Sequence, residues 1–140
     1  MNIDGVTNGI VIDHIKAGKS LQIYELLHLD KLTCSVAVIQ NADSTKYGKK
    51  DIIKIDEMID IDMDILGYID PNITINYVEN EELTKKEHLA LPETLTNVIK
   101  CKNPRCITST EQEIKHIFRL ADRGKRVYRC IYCDTEYSGK

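Results

Sequence analysis

Four of the five cysteines form two close pairs, and this spacing constrains the chain more than any other feature. The pairs are Cys101-x4-Cys106 and Cys130-x2-Cys133, with 23 residues between them. Two such knuckles can bring four thiolates to the corners of a tetrahedron, the arrangement that Zn²⁺ prefers. Two disulfides, or free cysteines in a core, are the alternative interpretations. The pattern favours one Zn²⁺ ion per chain, and because sulfur would fill every position the site would be structural rather than catalytic.

The distribution of charge divides the chain into two parts. Residues 1–93 carry 9 Lys and Arg against 17 Asp and Glu, whereas residues 94–140 carry 10 against 5. The sequence Leu91-Pro92-Glu93 marks a boundary between them. We therefore expect two domains, 1–93 and 94–140, and the smaller one needs a metal ion to compensate for its small apolar core.

The apolar content argues against a membrane protein. No run approaches the roughly 20 apolar residues of a membrane span, and the start of the chain lacks the pattern of a secretory signal. We therefore expect a cytoplasmic protein with no membrane partner. Cys34 lies in the apolar run CSVAVI and is expected to be a small buried residue.

The hydrophobic periodicity of the first part predicts six elements in the order strand, helix, strand, strand, helix, strand. They cover 9–15, 20–29, 32–39, 50–55, 61–69 and 72–78, and a weaker extended segment lies near 83–91. Ser20 could cap the first helix. This order is that of a ferredoxin-like α+β domain, an antiparallel sheet with both helices on one face.

A second candidate site consists of polar residues at the strands of the first domain. They are Asp13, His14, Lys50, Lys54, Asn76, Lys85 and Lys86. Lys50 and Lys54 lie four residues apart on one strand, so their side chains project from the same face. Lysines that converge in an acidic domain could bind a phosphate-bearing ligand, but from the residues alone the larger weight falls on lysines that are solvated or paired with nearby acids.

The tail is predicted to form a small β module with Zn²⁺ at one end. Two short strands, 117–120 and 126–130, flank a turn, and Phe118, Tyr132 and Tyr137 could supply a core. Its arginines could contact nucleic acid, pair with an acidic protein or remain solvated. No nucleophile-and-base constellation and no phosphate-binding glycine loop is visible, which disfavours an enzyme.

The chain also resembles the regulatory chains of aspartate carbamoyltransferase. Five segments in order carry the resemblance: GIVIDHI at 9–15, GKKDIIKID at 48–56, ITIN at 73–76, LPE at 91–93, and the CKNPRC and CIYC knuckles. The resemblance implies a non-catalytic subunit of pyrimidine biosynthesis whose first domain binds CTP, ATP and UTP. It also implies that the zinc domain docks on the catalytic chain. Regulatory-chain homodimers would then join catalytic trimers in a dodecamer of six catalytic and six regulatory chains, with no nucleic acid involved.

The resemblance further implies a set of nucleotide-binding positions. Asp13, Lys54 and Lys86 match residues that contact the ribose, base or phosphates. Further matches are Lys50, Ile52 and Asn76 as lining residues, Val6 and Val11 as apolar residues near the base, and His14 beside the phosphates. The chain departs from the family at Glu81, where tyrosine is expected, and at His88, where arginine is usual. A zinc-ribbon nucleic-acid-binding protein with a ligand-sensing domain is the alternative interpretation.

Overall fold

The computed structural model describes residues 5–45 and 48–137. It divides into two compact units, 1–90 and 91–140, whereas the predicted boundary lies after Glu93. Residues 91–93 belong with the second unit, because the Tyr128 hydroxyl donates a hydrogen bond to Pro92 O and the Leu120 amide donates one to Glu93 O. The assignment of separate functions to 1–93 and 94–140 remains a prediction.

The first unit is built from five strands and two α-helices among its described residues. In chain order they are β1 (Gly9–Lys16), α1 (Ser20–Leu26), β2 (Val36–Ser44), β3 (Gly48–Ile55), α2 (Met63–Ile69), β4 (Thr74–Glu79) and β5 (Glu82–His88). The sheet order is β2-β3-β1-β4-β5, and every neighbouring pair is antiparallel. The predicted α+β fold, a ferredoxin-like antiparallel sheet, is confirmed. The weak segment near 83–91 is the additional edge strand β5.

One face of this sheet forms the apolar core with both helices. Alternate residues of β1 and β3, such as Ile10, Ile12 and Ile53, pack there against Ile23 of α1 and Leu66 of α2. Each fully buried side chain of this kind contributes about 1.5–3 kcal/mol relative to exposure. Because strand side chains alternate, the residues between them point to the opposite face.

The first helix does not begin with the predicted serine cap. Ser20 is the first helical residue, and its N-cap Lys19 makes no side-chain capping hydrogen bond. Instead Asp51 of β3 accepts hydrogen bonds from the amide and hydroxyl of Ser20 and from the Gly18 amide. The second helix does have a side-chain N-cap, because the Asp62 side chain accepts hydrogen bonds from the amides of Asp64 and Ile65.

The second unit contains a three-stranded antiparallel sheet and one short helix among its described residues. The elements are β6 (Thr94–Thr96), α3 (Ile107–Thr110), β7 (Ile117–Asp122) and β8 (Val127–Cys130), and the sheet order is β6-β7-β8. Residues 94–100 were expected to be a connector, but Leu95 pairs with Phe118 and is fully buried. The three residues of β6 are too few to predict a strand from the sequence, because this strand depends on its pairing with β7.

The core above the cysteines differs from the prediction at one aromatic residue. Phe118 is buried and contacts the ring of Tyr137 edge to face, with 5.8 Å between centroids. Tyr132 was expected in this core but is 47% exposed, and Tyr128 is buried instead. Tyr128 lies on β8 opposite Leu120, whereas Tyr132 lies between two cysteines, in a turn. None of the helices in the described ranges is long and apolar enough to cross a membrane.

Candidate metal centre and charged sheet face

The four paired cysteines converge in the second unit. The Sγ atoms of Cys101, Cys106, Cys130 and Cys133 all lie within 4.8 Å of one another. Cys101 Sγ is 3.6 Å from Cys133 Sγ, and Cys106 Sγ is 3.7 Å from Cys130 Sγ. A tetrahedral ion with metal–sulfur bonds of about 2.3 Å separates its sulfur atoms by about 3.8 Å. The donor set and its spacing therefore fit a metal ion held by four thiolates, and all four are free cysteines rather than disulfides.

Neighbouring polar groups orient these sulfur atoms. The Thr108 hydroxyl donates a hydrogen bond to Cys106 Sγ at 3.1 Å, and the Thr135 hydroxyl lies 3.2 Å from Cys133 Sγ. The Cys101 amide donates to Nδ1 of His116 at 3.0 Å. Such outer partners fix the geometry of metal ligands and influence affinity for the ion.

The cysteines do not share one electrostatic environment. Burial raises the pKa of the Cys101 thiol to about 12. At Cys133 the Thr135 hydroxyl is the main influence, and it lowers the pKa to about 6. A bound cation deprotonates coordinating thiols, so the free energy of metal binding must also cover the ionisation of the buried Cys101.

The predicted nucleotide-binding residues meet on the sheet face opposite the helices. Pairing across the strands places Lys54, Val11, Asn76 and Lys86 in one row, on β3, β1, β4 and β5. Residues directly opposite in an antiparallel pair have Cβ atoms about 4.5–5.5 Å apart and share a face. At about 4.8 Å per strand, Lys54 and Lys86 are therefore about 14 Å apart at the backbone.

Asp13 and Lys50 form an ion pair beside this row. Lys50 Nζ lies 3.0 Å from Asp13 Oδ1, and the two side chains are 13% and 1% exposed. Asp13 also accepts a hydrogen bond from the His14 amide at 2.7 Å. The carboxylate neutralises Lys50, and Lys54 and Lys86 contribute two further ammonium groups to this face.

Asn76 contributes a buried amide at the centre of the row. Its Nδ2 donates a hydrogen bond to Val11 O at 3.2 Å. Its Oδ1 is buried and has no hydrogen-bond partner among the described residues. A buried acceptor without a partner is uncommon and carries a free-energy cost.

His14 borders a cavity of about 180 Å³ at one end of the face. Its Nδ1 lies 2.9 Å from Thr74 Oγ1, and its backbone has a positive φ of 58°. The residues that line the cavity are His14, Pro71, Asn72, Thr74, Lys86, His88 and Leu89. Two imidazoles and one ammonium group therefore meet around a small space.

An apolar patch lies on the same face of the sheet as Lys54 and Asn76, the face opposite the helices. Val6, Val11, Ile52 and Val78 are buried together, and Ala42 packs against them. Val78 and Thr74 were not predicted as site residues. Both lie two positions from Asn76 on β4, so strand alternation could have assigned them to its face.

The two departures from the family pattern occupy different places. His88 lines the cavity, whereas Glu81 lies in the two-residue turn between β4 and β5 with Asn80. Both turn residues have positive φ, 65° for Glu81 and 51° for Asn80, as a type I′ hairpin turn requires. The Glu81 amide donates a hydrogen bond to Thr7 O at 2.9 Å.

Three of the five arginines of the second unit pair with acids of the same unit. Arg119 contacts Asp134, Arg129 lies 3.9 Å from Glu136, and Arg123 lies 3.8 Å from Glu93. The positive charge of these side chains is thereby partly neutralised, which weakens the attraction expected for nucleic-acid phosphates.

Comparison with known proteins matches both parts of the chain. Residues 1–90 match the family described as aspartate carbamoyltransferase regulatory chain, allosteric domain. Residues 93–140 match that described as aspartate carbamoyltransferase regulatory chain, metal binding domain.

Individual relatives match over nearly their whole length. The chain is 53% identical over 139 residues to the aspartate carbamoyltransferase regulatory chain of Clostridium botulinum, covering 99% of this chain and 95% of the relative. The corresponding protein of Clostridium acetobutylicum is 49% identical over 139 residues, with the same coverage. That of Bifidobacterium longum is 44% identical over 136 residues, covering 97% of this chain and 98% of the relative.

Proposed function

Because the chain belongs to the aspartate carbamoyltransferase regulatory-chain family, we propose that it binds CTP, ATP and UTP at the charged sheet face and transmits their effect to the catalytic chain. The convergence of Lys54, Asn76 and Lys86 in one row across the sheet carries this proposal. The protein has no catalytic step of its own and acts as a regulatory subunit in pyrimidine biosynthesis, in the cytoplasm.

Three features of the face support a nucleotide as the ligand. Lys54 and Lys86 supply positive charge for phosphates, with His14 close to Lys86 at the cavity. Val6, Val11, Ile52 and Val78 form a buried apolar patch on this face, beside which a base can pack. Asp13 can accept hydrogen bonds from ribose hydroxyls, and Lys50 holds its carboxylate in place.

The buried Oδ1 of Asn76 gives a further reason to expect a ligand here. Its lack of a partner costs about 1–3 kcal/mol in general. A small reorientation toward a bound donor group would recover part of this free energy. The proposed site comprises all nine predicted positions: Asp13, His14, Lys50, Ile52, Lys54, Asn76, Lys86, Val6 and Val11.

Zn²⁺ is the metal that the second unit is proposed to bind, through Cys101, Cys106, Cys130 and Cys133. A set of four thiolates favours Zn²⁺ over hard cations such as Mg²⁺ and Ca²⁺. The ion would stabilise the β6-β7-β8 sheet and the two knuckles, because structural zinc contributes about 10–16 kcal/mol to coupled folding. With every position filled by sulfur, it has no role in a reaction.

The proposed assembly is the one that the family resemblance implies. The second unit docks on the catalytic chain, and the first units pair as homodimers, so that six regulatory chains join two catalytic trimers in a dodecamer. A nucleotide then shifts the assembly between two states by binding one of them more tightly. Coupling of about 1–3 kcal/mol, typical of such systems, changes the response to aspartate several-fold.

The nucleic-acid alternative is less favoured. Arg119, Arg123 and Arg129 have acidic partners within the second unit, and the first unit is acidic. A nucleic-acid-binding protein would show affinity that falls linearly with the logarithm of salt concentration.

The proposal is tested by reconstitution with a purified catalytic trimer. Light scattering should detect a dodecamer, and the aspartate saturation curve should shift when CTP or ATP is added. Lys86→Ala should weaken nucleotide binding without changing assembly, and Lys49→Ala, which alters an exposed lysine paired with Asp43, serves as the matched control. Assembly without any nucleotide response would reject the effector site, and failure of the metal-loaded chain to assemble would reject the subunit assignment.

A further inference from the structure

A histidine outside the four-cysteine cluster binds both ends of the segment that leads into that cluster. The His116 carbonyl oxygen accepts a hydrogen bond from the Asn97 amide at 2.7 Å, and the His116 amide donates one to Asn97 Oδ1 at 2.9 Å. Its ring nitrogen Nδ1 accepts a third from the Cys101 amide at 3.0 Å. One residue is therefore joined to the start and to the end of segment 97–101, the ligand loop.

The ligand loop connects β6 to the first metal ligand. It begins at Asn97, directly after β6, with a positive φ of 57° that ends the extended strand. Asparagine is one of the few residues that tolerate this conformation. In the middle of the loop Ile99 is buried, and Cys101 at its end is buried as well. The loop is thus fixed by Asn97 at its start, by Ile99 in its middle and by the His116 ring at its end.

The metal ligands are not anchored in the same way. Cys130 ends β8, where it is paired with β7. Cys106 directly precedes α3, and its amide donates to the backbone oxygen of Asn103. Cys101 belongs to no helix or strand, and its amide donates to a side chain instead. The position of Cys101 therefore depends on the identity of residue 116, whereas the anchors of the other two ligands are backbone groups.

We propose that His116 is a positioning residue for the metal centre, whose imidazole holds the Cys101 backbone where the thiolate binds the ion and thereby slows release of the ion. This inference rests on the metal site proposed above. A ligand whose backbone is already fixed loses less conformational entropy when it binds. The hydrogen bond thus favours the bound state of Cys101 without any contact between His116 and the ion.

The size of the effect follows from the atom that His116 contacts. Removal of an outer partner typically weakens metal binding by about 10–100-fold. The lower end of this range applies, because the His116 ring contacts the backbone of Cys101 rather than its sulfur atom. Differences in affinity at one site arise mostly in the dissociation rate. We therefore expect loss of the hydrogen bond to accelerate metal release by about tenfold.

Two substitutions separate the hydrogen bond from the packing of the ring. His116→Asn removes the ring but supplies an acceptor oxygen that is as many bonds from Cα as Nδ1 is. His116→Phe keeps a ring but has no acceptor. If His116 acts through its hydrogen bond, the asparagine variant should behave like the wild type and the phenylalanine variant should not. If the ring only fills space, the order of the two variants should be reversed.

Release of Zn²⁺ from the loaded full chain into an excess of a chromogenic chelator tests the inference. His116→Phe should release the ion about tenfold faster than the wild type, and His116→Asn should stay within about twofold of it. Lys115→Ala, which alters the exposed residue next to His116, is the control and should release at the wild-type rate. Hydrogen exchange of the loaded proteins should accelerate in segment 97–106 of His116→Phe only, with β8 unchanged.

The outcomes separate this inference from the metal site itself. Equal release rates for His116→Phe and the wild type would overturn the role of His116, as would faster release from His116→Asn than from His116→Phe. If His116→Phe does not fold, His116→Gln replaces it, because its acceptor lies one bond farther from Cα and it should also release faster. A wild type that retains no Zn²⁺ after reconstitution would reject the proposed site together with this inference. Retention of Zn²⁺ with equal release rates rejects the inference alone.

Discussion

Lys50 Nζ lies 3.0 Å from Asp13 Oδ1 in a pair whose side chains are 13% and 1% exposed. A second lysine one position earlier offers a comparison, because Lys49 pairs with Asp43 at 2.7 Å with side chains 58% and 94% exposed. The two pairs have similar geometry but very different access to water. Burial, rather than distance, should therefore decide which of them matters for stability.

Replacing Lys50 by methionine should destabilise the first unit. The change retains most of the side-chain volume but leaves Asp13 buried without its cation, which costs about 3 kcal/mol. Equilibrium unfolding in urea, with hydrogen exchange of β1 and β3 peptides to identify the unit, measures the effect. Lys49→Met should leave the midpoint unchanged. Equal effects of the two substitutions would show that the buried pair has no special contribution.

Asp51 should make folding of the first unit sensitive to acid. Burial opposes its ionisation, but the Ser20 hydroxyl and the amides of Asn41, Gly18 and Ser20 outweigh burial and lower its pKa below the ordinary value. A carboxylate with a lowered folded pKa gives stability that is complete above the unfolded pKa of about 3.9 and is lost as pH falls through the folded value. Asp51→Asn should therefore flatten the acid side of the stability profile.

The same substitution should lower stability at neutral pH by about 2 kcal/mol, because a charged acceptor of several hydrogen bonds is lost. Ser20→Ala removes a single donor, the hydroxyl 2.6 Å from Asp51 Oδ2, and should cost about 1 kcal/mol. Urea unfolding at several pH values between 3 and 7 compares the three proteins. An unchanged acid profile in Asp51→Asn would assign the acid sensitivity to other carboxylates.

Gly9 should not tolerate even a methyl group. A Cβ built there would lie 2.0 Å from Ile55 O and 2.8 Å from the Glu57 amide, and both are backbone atoms that cannot rotate away. Gly9→Ala should push β1 from the end of β3 and destabilise the unit by about 3 kcal/mol. Gly124→Ala is the matched control, since its nearest contact is an Asp122 carboxylate oxygen at 3.5 Å. Thermal unfolding of the two variants should differ clearly.

Loss of one cysteine ligand should release the metal and unfold only the second unit. Cys106→Ala leaves three sulfur atoms and removes the coupled folding energy that metal binding supplies. Metal content by elemental analysis should fall below one ion per chain, and hydrogen exchange should accelerate in β7 and β8. β1 and β3 should keep their protection, and association with the catalytic trimer should be lost. Cys34→Ser, outside the four-cysteine cluster, should retain both metal and assembly.

A stable complex between the catalytic trimer and metal-free Cys106→Ala would refute the docking role of this unit. Addition of a chelator to the wild type is the parallel experiment, because removal of the ion should produce the same loss of protection without any substitution. Restoration of protection by Zn²⁺, and not by Mg²⁺, would identify the ion that the thiolates prefer.

The local pattern of residues determined several strands, one helix and the cysteine cluster of this protein. The hydrophobic patterns of 9–15, 61–69 and 72–78 predicted β1, α2 and β4, because these signals arise between neighbours in the chain. The spacing of the four cysteines predicted their convergence, which the sulfur distances confirm. The segments around CKNPRC and CIYC indicated the family, to which the matches over nearly the full length assign the chain.

Tertiary structure alone decided the features that depend on distant partners. Asp51, rather than a Ser20 cap, accepts hydrogen bonds from the backbone amides of Gly18 and Ser20 at the start of α1. Asp51 lies 31 residues after Ser20 in the chain. Residues 94–96 became β6 because β7 pairs with them, with Leu95 opposite Phe118. Tyr128 replaced Tyr132 in the core, and His88 came to lie with His14 and Lys86 because β5 pairs with β4. Sequence encodes local periodicity directly, whereas these contacts depend on which strands pair and in which register, and that is fixed only when the sheet forms.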